Sequence, residues 1–165
     1  MVSGLFVEER GNPEDRCIVF LHGLLGSSRN WRSVSKLMSS GFHTLSFDLP
    51  NHGRSPHHPD FTVQKMAALI HAEITQRGRS QFSLCGHSLG GKVAMRMACD
   101  DPASVDQLVV VDIAPRAYPP DHHLPTLLAL LNLDLSVLSS RKDADLVRES
   151  IPEPKKKSRS RLQEP

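Results

Sequence analysis

Short apolar runs alternate with amphipathic segments along most of the chain. The apolar runs are typical of strands that are buried on both faces of a parallel sheet. The amphipathic segments place apolar residues three or four positions apart, as in helices with one buried face. The pattern predicts strands over residues 5–9, 17–21, 43–47, 81–85 and 105–111, and helices over residues 30–39, 62–77 and 92–98. Strands and helices that alternate in this way indicate the α/β class, with a mostly parallel sheet and helices on both faces.

The same pattern predicts which side chains of two elements are buried. The helix over residues 30–39 is expected to pack through the apolar residues that recur at helical spacing, which are Trp31, Val34, Leu37 and Met38. The strand over residues 105–111 ends in four consecutive apolar residues and is expected to be buried.

Polar residues follow four of the predicted strands. His22 and Gly23 follow one strand, and Asp48, Ser88 and Asp112 each follow another. Because the carboxyl ends of parallel strands meet at one edge of a sheet, we expect these residues to lie close together. A functional site is therefore predicted at this edge.

The sequence Gly86-x-Ser88-x-Gly90 has the form of a nucleophile elbow. In such an elbow, a sharp turn between a strand and a helix holds a serine exposed above the sheet. Glycines on both sides are needed because the turn strains the backbone and brings the strand and the helix too close for a Cβ atom. An apolar run precedes the motif and a helical segment follows it, so Ser88 is predicted to be a nucleophile.

A serine nucleophile needs further groups, and the sequence offers some of them. A base must take the hydroxyl proton, a carboxylate must orient that base, and N–H donors must bind the oxyanion. The N–H that follows the nucleophile is that of Leu89, and it opens a helix. The turn His22-Gly23-Leu24, which follows an upstream strand, offers the N–H of Leu24 as the second donor.

A phosphate-binding loop is the main alternative for the same segment. Gly86 and the pair Gly91-Lys92 have the spacing of that loop, and Asp112 ends an acidic strand of the kind that accompanies it. The loop requires Ser or Thr after the lysine to bind Mg²⁺, but Val93 occupies that position. Nucleotide binding is therefore disfavoured, and Lys92 is interpreted as a surface residue of the helix.

The composition is that of a globular protein with one domain. The 165 residues are 39% hydrophobic and 23% charged, which is enough to form a core. The formal net charge is +2, and five positive charges lie within residues 155–161, which leaves a net charge of −3 on the remaining residues. The basic character therefore belongs to one segment, and no nucleic-acid partner is expected.

The sequence also predicts a cellular compartment. No apolar stretch approaches the roughly 18 residues of a membrane span, so no such span is expected. Glu8 and Glu9 occur early, and neither a signal peptide nor an Arg-rich transit helix is recognised. Cys17, Cys85 and Cys99 form no disulfide framework and are expected to be reduced thiols. We therefore expect an intracellular protein, with the cytoplasm as the favoured compartment.

Four segments together resemble the α/β-hydrolase superfamily, and within it a branch of small acyl esterases and thioesterases with bacterial and mitochondrial members. These segments are residues 22–27, 51–56, 86–92 and 111–115. The resemblance implies a hydrolase of small carboxylic esters or thioesters, with no cofactor and no metal, and it allows a mitochondrial location as an alternative. It assigns Ser88 as the nucleophile and Leu24 and Leu89 as the oxyanion donors. The supporting motif residues are His22, Gly23, Gly86, His87 and Gly90.

The resemblance allows two positions for the catalytic acid. Most of the superfamily places the acid after a later strand, but some members place it on the strand that follows the elbow. Asp112 ends that strand here, and it is the predicted acid. Asp48 is interpreted instead as a brace for the loop at Asn51 and His52.

In the superfamily, the nucleophile, the acid and the histidine follow one another along the chain, and the histidine of this series is missing here. Only His122 and His123 follow Asp112, and they lie in a Pro-rich segment, so a catalytic histidine is not identifiable. The alternative function is therefore a catalytically inactive protein that acts by binding or regulation.

The missing catalytic histidine also affects how the domains are interpreted. Residues 1–151 are predicted to form a partial α/β-hydrolase domain that lacks the later strands. Within it, residues 116–151 open the cap region, with helices over residues 124–138 and 143–150, and residues 152–165 form a disordered basic tail. A chain truncated in this way would expose the strand over residues 105–111 at the sheet edge, so self-association is expected.

Overall fold

The computed structural model describes residues 4–119, 124–132, 134 and 140. The chain divides into two compact units, with the boundary between Pro115 and Arg116. The strands of the first unit are β1 (Val7–Arg10), β2 (Cys17–Leu21), β3 (His43–Phe47), β4 (Phe82–His87) and β5 (Val105–Val111). Its helices are α1 (Arg32–Met38), which a short 3-10 turn (Ser28–Trp31) precedes, α2 (Val63–Gln76) and α3 (Leu89–Asp100). The elements confirm the predicted α/β class.

The second unit contributes one described helix, α4 (Leu124–Leu131). Five of its eight residues are leucines, which agrees with the leucine-rich helix predicted to begin at this point. In the same unit, the guanidinium of Arg116 lies 4.8 Å from the centre of the Tyr118 ring. The predicted helix over residues 143–150 and the predicted disordered tail over residues 152–165 lie outside the described residues, and both stay predictions.

The sheet has five strands in the order β1-β3-β2-β4-β5. Strand β1 pairs antiparallel with β3, and the other neighbouring strands are parallel. The central strands β2 and β3 are almost entirely buried. The continuous apolar sequence of β2 predicts this, whereas β3 also buries the polar residues His43, Thr44 and Ser46. Helices connect the parallel strands, so the carboxyl ends of β2, β3, β4 and β5 meet at one edge.

The core lies between the sheet and the helices. Helix α2 buries one face at helical spacing through Met66, Ala67, Ile70 and Ile74. Helix α3 buries Val93, Ala94 and Met97. The side chain of Thr62 caps α2 by accepting a hydrogen bond from the N–H of Lys65 at 3.1 Å. The packing of these helices stabilises the sheet, and the loops at its carboxyl edge follow directly from its strands.

Two packing predictions are wrong. In α1, Leu37 is 77% exposed and Val34 is also exposed, so this helix does not bury its apolar side chains as expected. Its one buried residue is Ser35, while Trp31 stacks on Phe20 from the 3-10 turn with 5.1 Å between ring centres. The apolar sequence of β5 predicted burial, but Val109 is 51% exposed, and β5 is an edge strand of the described sheet, as the absence of later strands predicted. A continuous apolar run does not distinguish a central strand from an edge strand.

The side chain of His43 connects three parts of the fold. It is buried at the start of β3, where its Nε2 lies 2.7 Å from Oε1 of Glu9 and its Nδ1 lies 2.8 Å from Nη2 of Arg79. A guanidinium can only donate, so Nδ1 accepts from Arg79 and Nε2–H donates to Glu9. This network joins β1 and β3 to the chain after α2, at the end of the sheet away from the predicted site.

None of the helices described by the structure is long and apolar enough to cross a membrane. The free cysteines include buried Cys17 and exposed Cys99. Burial raises the pKa of the Cys17 thiol to about 11, so this thiol is protonated at neutral pH and behaves as a core residue.

The packing of α2 gives a direct test of the core. We expect Ile70→Val to lower the free energy of unfolding by about 0.5–1.5 kcal/mol, because it removes one methyl group from a fully buried side chain. Leu37→Ala, on the exposed side of α1, is the control and should change stability by less than about 0.5 kcal/mol. Urea unfolding followed by circular dichroism measures both. A larger loss in the control than in Ile70→Val would contradict the assignment of the core.

Candidate active site

Ser88 occupies a strained turn between β4 and α3. The strand ends at His87 and the helix begins at Leu89, so the serine is the single residue between them. Its backbone has φ 50° and ψ −113°, a conformation that is costly for a residue with a side chain. Its hydroxyl makes no capping hydrogen bond to α3. This is the geometry predicted for a nucleophile elbow, and it leaves the hydroxyl available for chemistry.

The glycines of the motif allow close contact around this turn. A Cβ atom at Gly90 would lie 2.6 Å from the carbonyl oxygen of His22, and one at Gly86 would lie 2.7 Å from the backbone nitrogen of Gly91. Both contacts are with backbone atoms, which cannot move aside, so a larger residue at either position would displace α3. Val93, where a phosphate loop requires a hydroxyl, is fully buried in the core.

The turn after β2 lies against Ser88. Strands β2 and β4 are in register with Leu21 beside Gly86, so the residues that follow them meet at the sheet edge. A Cβ atom placed on Gly23 would be 3.4 Å from the Cβ of Ser88 and 2.9 Å from Nδ1 of His87. Glycine at position 23 therefore lets the backbone of this turn approach the serine.

The two predicted oxyanion donors come from the segments that meet here. The N–H of Leu89 lies in the first turn of α3, where a helix has no acceptor for it. Leu24 follows Gly23 directly in the turn beside Ser88. Among the hydrogen bonds of the described residues, none uses the N–H of Leu24 or Leu89 as its donor. The arrangement suits the binding of a developing oxyanion, a role that stays a prediction for both residues.

Asp112 ends β5 beside the elbow. The N–H of Ser88 donates to the carbonyl oxygen of Val111 at 3.0 Å, which ties the elbow to the end of β5. The Asp112 side chain is 88% exposed, and its Oδ2 lies 3.8 Å from Nε2 of His87. The backbone of Asp112 has φ 56°, so it too is held in a left-handed turn. The carboxylate therefore lies beside His87, which precedes the serine, and it is accessible to a further group.

Asp48 lies at the same sheet edge, but it is bound within the fold. Its Oδ1 accepts the N–H of Ser28 at 2.6 Å and its Oδ2 accepts the N–H of Arg54 at 2.8 Å. Its carbonyl oxygen accepts the hydroxyl of Ser55. Burial acts to raise the pKa of Asp48, but the N–H donors of Arg54 and Ser28 outweigh it and hold the pKa below its usual value. The bonds support the predicted role as a brace for the loop after β3.

His22 is fully buried in the neutral form. Its Nε2 accepts the N–H of Leu49 at 3.0 Å, and its Nδ1 lies 2.7 Å from the carbonyl oxygen of Gly23. Its pKa is lowered to about 4, mainly by burial and also by nearby His52, against the opposing effects of the Gly23 carbonyl and the Asp48 carboxylate. Because both ring nitrogens are engaged in hydrogen bonds, His22 is not available as a general base.

The sequence predicted the contacts of Asp48 only in part, as a brace for the loop after β3, and it did not predict the contacts of His22. His22 was recognised as a motif residue, but its bond to Leu49 was not predicted. The partners are 27 residues apart, and only the pairing of β2 with β3 brings them together. The signal in the sequence was the position of Leu49 directly after Asp48 at a strand end.

His52 is the other buried imidazole near the site. Its Nδ1 lies 3.0 Å from the carbonyl oxygen of Pro50, which can only accept, and so Nδ1 carries the proton. Its ring lies edge-on to His22 with 5.1 Å between centres. His52 therefore serves the packing of the loop after β3.

No metal centre is formed by the part of the chain that the structure describes. Within that part, no group of three or more His, Cys, Asp or Glu side chains is placed to hold a metal ion. The polar groups at the sheet edge are instead a hydroxyl, backbone N–H donors and separate carboxylates. Such a set suits acyl transfer to a serine.

Comparison with known proteins gives consistent results. The family model for the alpha/beta hydrolase fold matches residues 16–146. The chain is 42% identical over 116 residues to the sn-1-specific diacylglycerol lipase ABHD11 of Mus musculus, a match that covers 69% of this chain and 38% of that protein. It is 37% identical over 101 residues to a putative esterase/lipase of Haemophilus influenzae, which covers 61% of this chain and 35% of that protein.

A solved structure gives the same fold. A marine microorganism esterase superposes with a TM-score of 0.82 at 33% sequence identity, and the match covers 90% of this chain and 59% of that one. The chain spans little more than a third of the length of these curated relatives.

The burial of neutral His22 predicts that stability depends on pH. The unfolded chain takes up a proton on this residue near its ordinary pKa of 6.5, whereas the folded chain does so only near 4. As the pH falls from 6.5 to 4, the unfolded state therefore gains a proton that the folded state excludes. We expect His22 to lower the free energy of unfolding by roughly 3 kcal/mol across this window, and its contribution is fully present above the window.

Urea unfolding between about pH 7 and pH 4 tests this expectation. His22→Asn should have a shallower pH dependence than wild type, since it lacks the titrating group, whereas exposed His57→Asn should keep the wild-type slope. Equal slopes for wild type and His22→Asn would contradict a buried neutral His22.

Proposed function

The chain belongs to the alpha/beta hydrolase fold family, and from this premise we propose that it is a serine hydrolase of small carboxylic esters or thioesters. The observation that carries the proposal is the strained backbone of Ser88, which holds a serine hydroxyl at the carboxyl edge of the sheet beside the turn at Gly23. The lipase and esterase names of the relatives support an ester as the substrate. No cofactor is needed for this chemistry.

The reaction proceeds through an acyl-enzyme. The Ser88 oxygen attacks the carbonyl carbon of the substrate, and the carbonyl oxygen becomes an oxyanion that accepts hydrogen bonds from the N–H groups of Leu24 and Leu89. The bond to the leaving group breaks as the oxyanion collapses, and the alcohol or thiol departs with a proton. Water then attacks the acyl group, which releases the acid and restores the serine hydroxyl.

Asp112 is the proposed acid that orients a base. It is exposed at the end of β5, next to the elbow, so a histidine can reach its carboxylate. Asp48 is disfavoured because both of its carboxylate oxygens are already bound to backbone N–H groups. Among the described histidines, His22 is disfavoured as the base because both ring nitrogens are bonded. His22 is therefore not the proposed base.

The alternative is an inactive protein that binds the same class of molecules. It would retain the elbow and the oxyanion donors but would not turn over an ester. The cytoplasmic location stays a prediction under either function.

An ester assay of the 165-residue chain distinguishes the two functions. Even where a triad member is missing, binding and an oxyanion hole leave a rate about 10³–10⁴-fold above that in water. We expect slow hydrolysis of p-nitrophenyl acetate and an acetyl group on Ser88, detected by peptide mass spectrometry. Ser88→Ala should abolish both, while Ser83→Ala, on the same strand, should retain both.

The outcomes of this assay are decisive in both directions. Hydrolysis that persists in Ser88→Ala would overturn the role of Ser88 as the nucleophile. Absence of turnover and of the adduct in the folded wild-type chain would favour the inactive binding protein.

The exposed edge strand supports self-association of this chain. Among the described strands, β5 has a neighbour on one side only, and its apolar residues Leu108, Val109 and Val111 are exposed. Such an edge is a template for pairing with another strand. A second copy offers an identical strand, and two copies of β5 would form a continuous sheet across a two-fold axis.

Sedimentation velocity measures this association. We expect wild type to self-associate and Val109→Lys to be monomeric, because a lysine in the middle of β5 places a charge at the pairing edge. Leu37→Lys, on the exposed side of α1, is the control and should associate as wild type does. A monomeric wild type, or association that Val109→Lys does not weaken, would contradict pairing through β5.

A further inference from the structure

The hydrogen bonds of His22 define which of its nitrogens carries the proton. A backbone N–H can only donate, so the 3.0 Å contact between the N–H of Leu49 and Nε2 requires an unprotonated Nε2. In the neutral ring the proton then lies on Nδ1, which donates to the carbonyl oxygen of Gly23 at 2.7 Å. His22 is thus fixed as one tautomer, with a distinct bond on each side of the ring.

The carbonyl of Gly23 is fixed from two directions. It accepts Nδ1–H of His22 and also the N–H of Gly26 at 3.0 Å. The peptide bond between Gly23 and Leu24 is planar and trans, so the Gly23 carbonyl and the Leu24 N–H point in opposite directions. Whatever fixes the carbonyl therefore also fixes the direction of the Leu24 N–H.

We propose that His22 is a positioning residue, which holds the Gly23–Leu24 peptide so that the Leu24 N–H serves the oxyanion formed at Ser88. This inference rests on the proposed function of Ser88. His22 does not contact the reacting atoms, and it acts through the Gly23 carbonyl. Its second bond, to Leu49, joins the turn His22-Gly23-Leu24 to the loop after β3, so one buried side chain holds two loops at the sheet edge.

The surroundings of His22 keep it in the neutral form that this role needs. His52 approaches the ring edge-on, and its electrostatic effect lowers the pKa of His22. The Asp48 carboxylate is near enough to attract a proton to His22, but its oxygens are bound to the N–H groups of Ser28 and Arg54. Burial prevails, so Nε2 stays an acceptor at neutral pH.

Two substitutions separate the bonds of His22. The side-chain nitrogen of Asn lies where Nδ1 lies in His, so His22→Asn retains a donor to Gly23 and loses the acceptor for Leu49. The terminal oxygen of Gln lies where Nε2 lies, so His22→Gln retains the acceptor for Leu49 and loses the donor to Gly23. Both variants bury an amide in place of the imidazole, so each is the matched control for the other.

The proposal predicts unequal losses of activity from these two variants. His22→Gln should lower kcat for p-nitrophenyl acetate by about 10²-fold with little change in KM, as expected when one oxyanion donor is misdirected. His22→Asn should lower kcat by about tenfold or less, and His57→Asn should match wild type. Urea unfolding of the same samples reports whether the two His22 variants are comparably stable.

A second measurement needs no turnover. Nitrogen NMR of the His22 ring should show a protonated Nδ1 and an unprotonated Nε2. Hydrogen exchange at the Leu49 amide should be faster in His22→Asn than in His22→Gln. Equal kcat losses in the two variants, following their stability, would overturn the proposal and leave His22 a structural residue, as would a ring protonated at Nε2.

Failure of the proposed function gives a different result from failure of this inference. If Ser88→Ala retains the wild-type turnover, the nucleophile assignment falls, and with it the catalytic role of the Leu24 N–H. The NMR arm still decides whether His22 fixes the Gly23 peptide, because it does not depend on catalysis.

Discussion

The close approach of helix α3 to the ends of β2 and β4 is the constraint on which the rest of the site depends. Glycine at position 90 lets the start of the helix lie against the backbone of His22 after β2. Glycine at position 86 lets β4 lie against the helix backbone at Gly91. The turn can then be a single residue, and Ser88 must adopt a positive φ to make it. Strain at this position is retained because the packed core of α3 determines where the helix lies.

The same constraint brings the turn after β2 to the serine. Helix α3 rests on the carbonyl oxygens of Leu21 and His22, and the residue that follows them, Gly23, lies against the elbow. Buried polar groups then hold the loops around this point. Asp48 binds the N–H groups of Ser28 and Arg54, and His22 binds Leu49 and Gly23. These groups are satisfied by backbone partners, so they stabilise the loops without the penalty of an unpaired buried charge.

Much of this arrangement could be predicted from the sequence. The α/β class and the strand–turn–helix around Ser88 follow from local patterns, since each motif sits at the end of an apolar run. The local patterns did not predict the exposed side chains of α1, such as Leu37, because burial depends on which element lies opposite. The edge position of β5 was expected from the absence of later strands, not from its apolar sequence. The partners of His43 and the bond of His22 to Leu49 were equally hidden, since these partners are more than 25 residues away along the chain. Sequence patterns locate the reactive residue, whereas its supporting contacts come from the tertiary fold.

We propose that Ser88 attacks an acyl group whose oxyanion is bound by the N–H groups of Leu24 and Leu89. A crystal structure of the chain after reaction with a small phosphonate ester tests this most directly, since the bound phosphonyl group mimics the tetrahedral intermediate. We expect a covalent bond from Ser88 Oγ to phosphorus and a phosphonyl oxygen about 2.7–3.1 Å from both N–H groups. A phosphonate on a different residue, or one on Ser88 whose oxygen points away from Leu24 and Leu89, would contradict it.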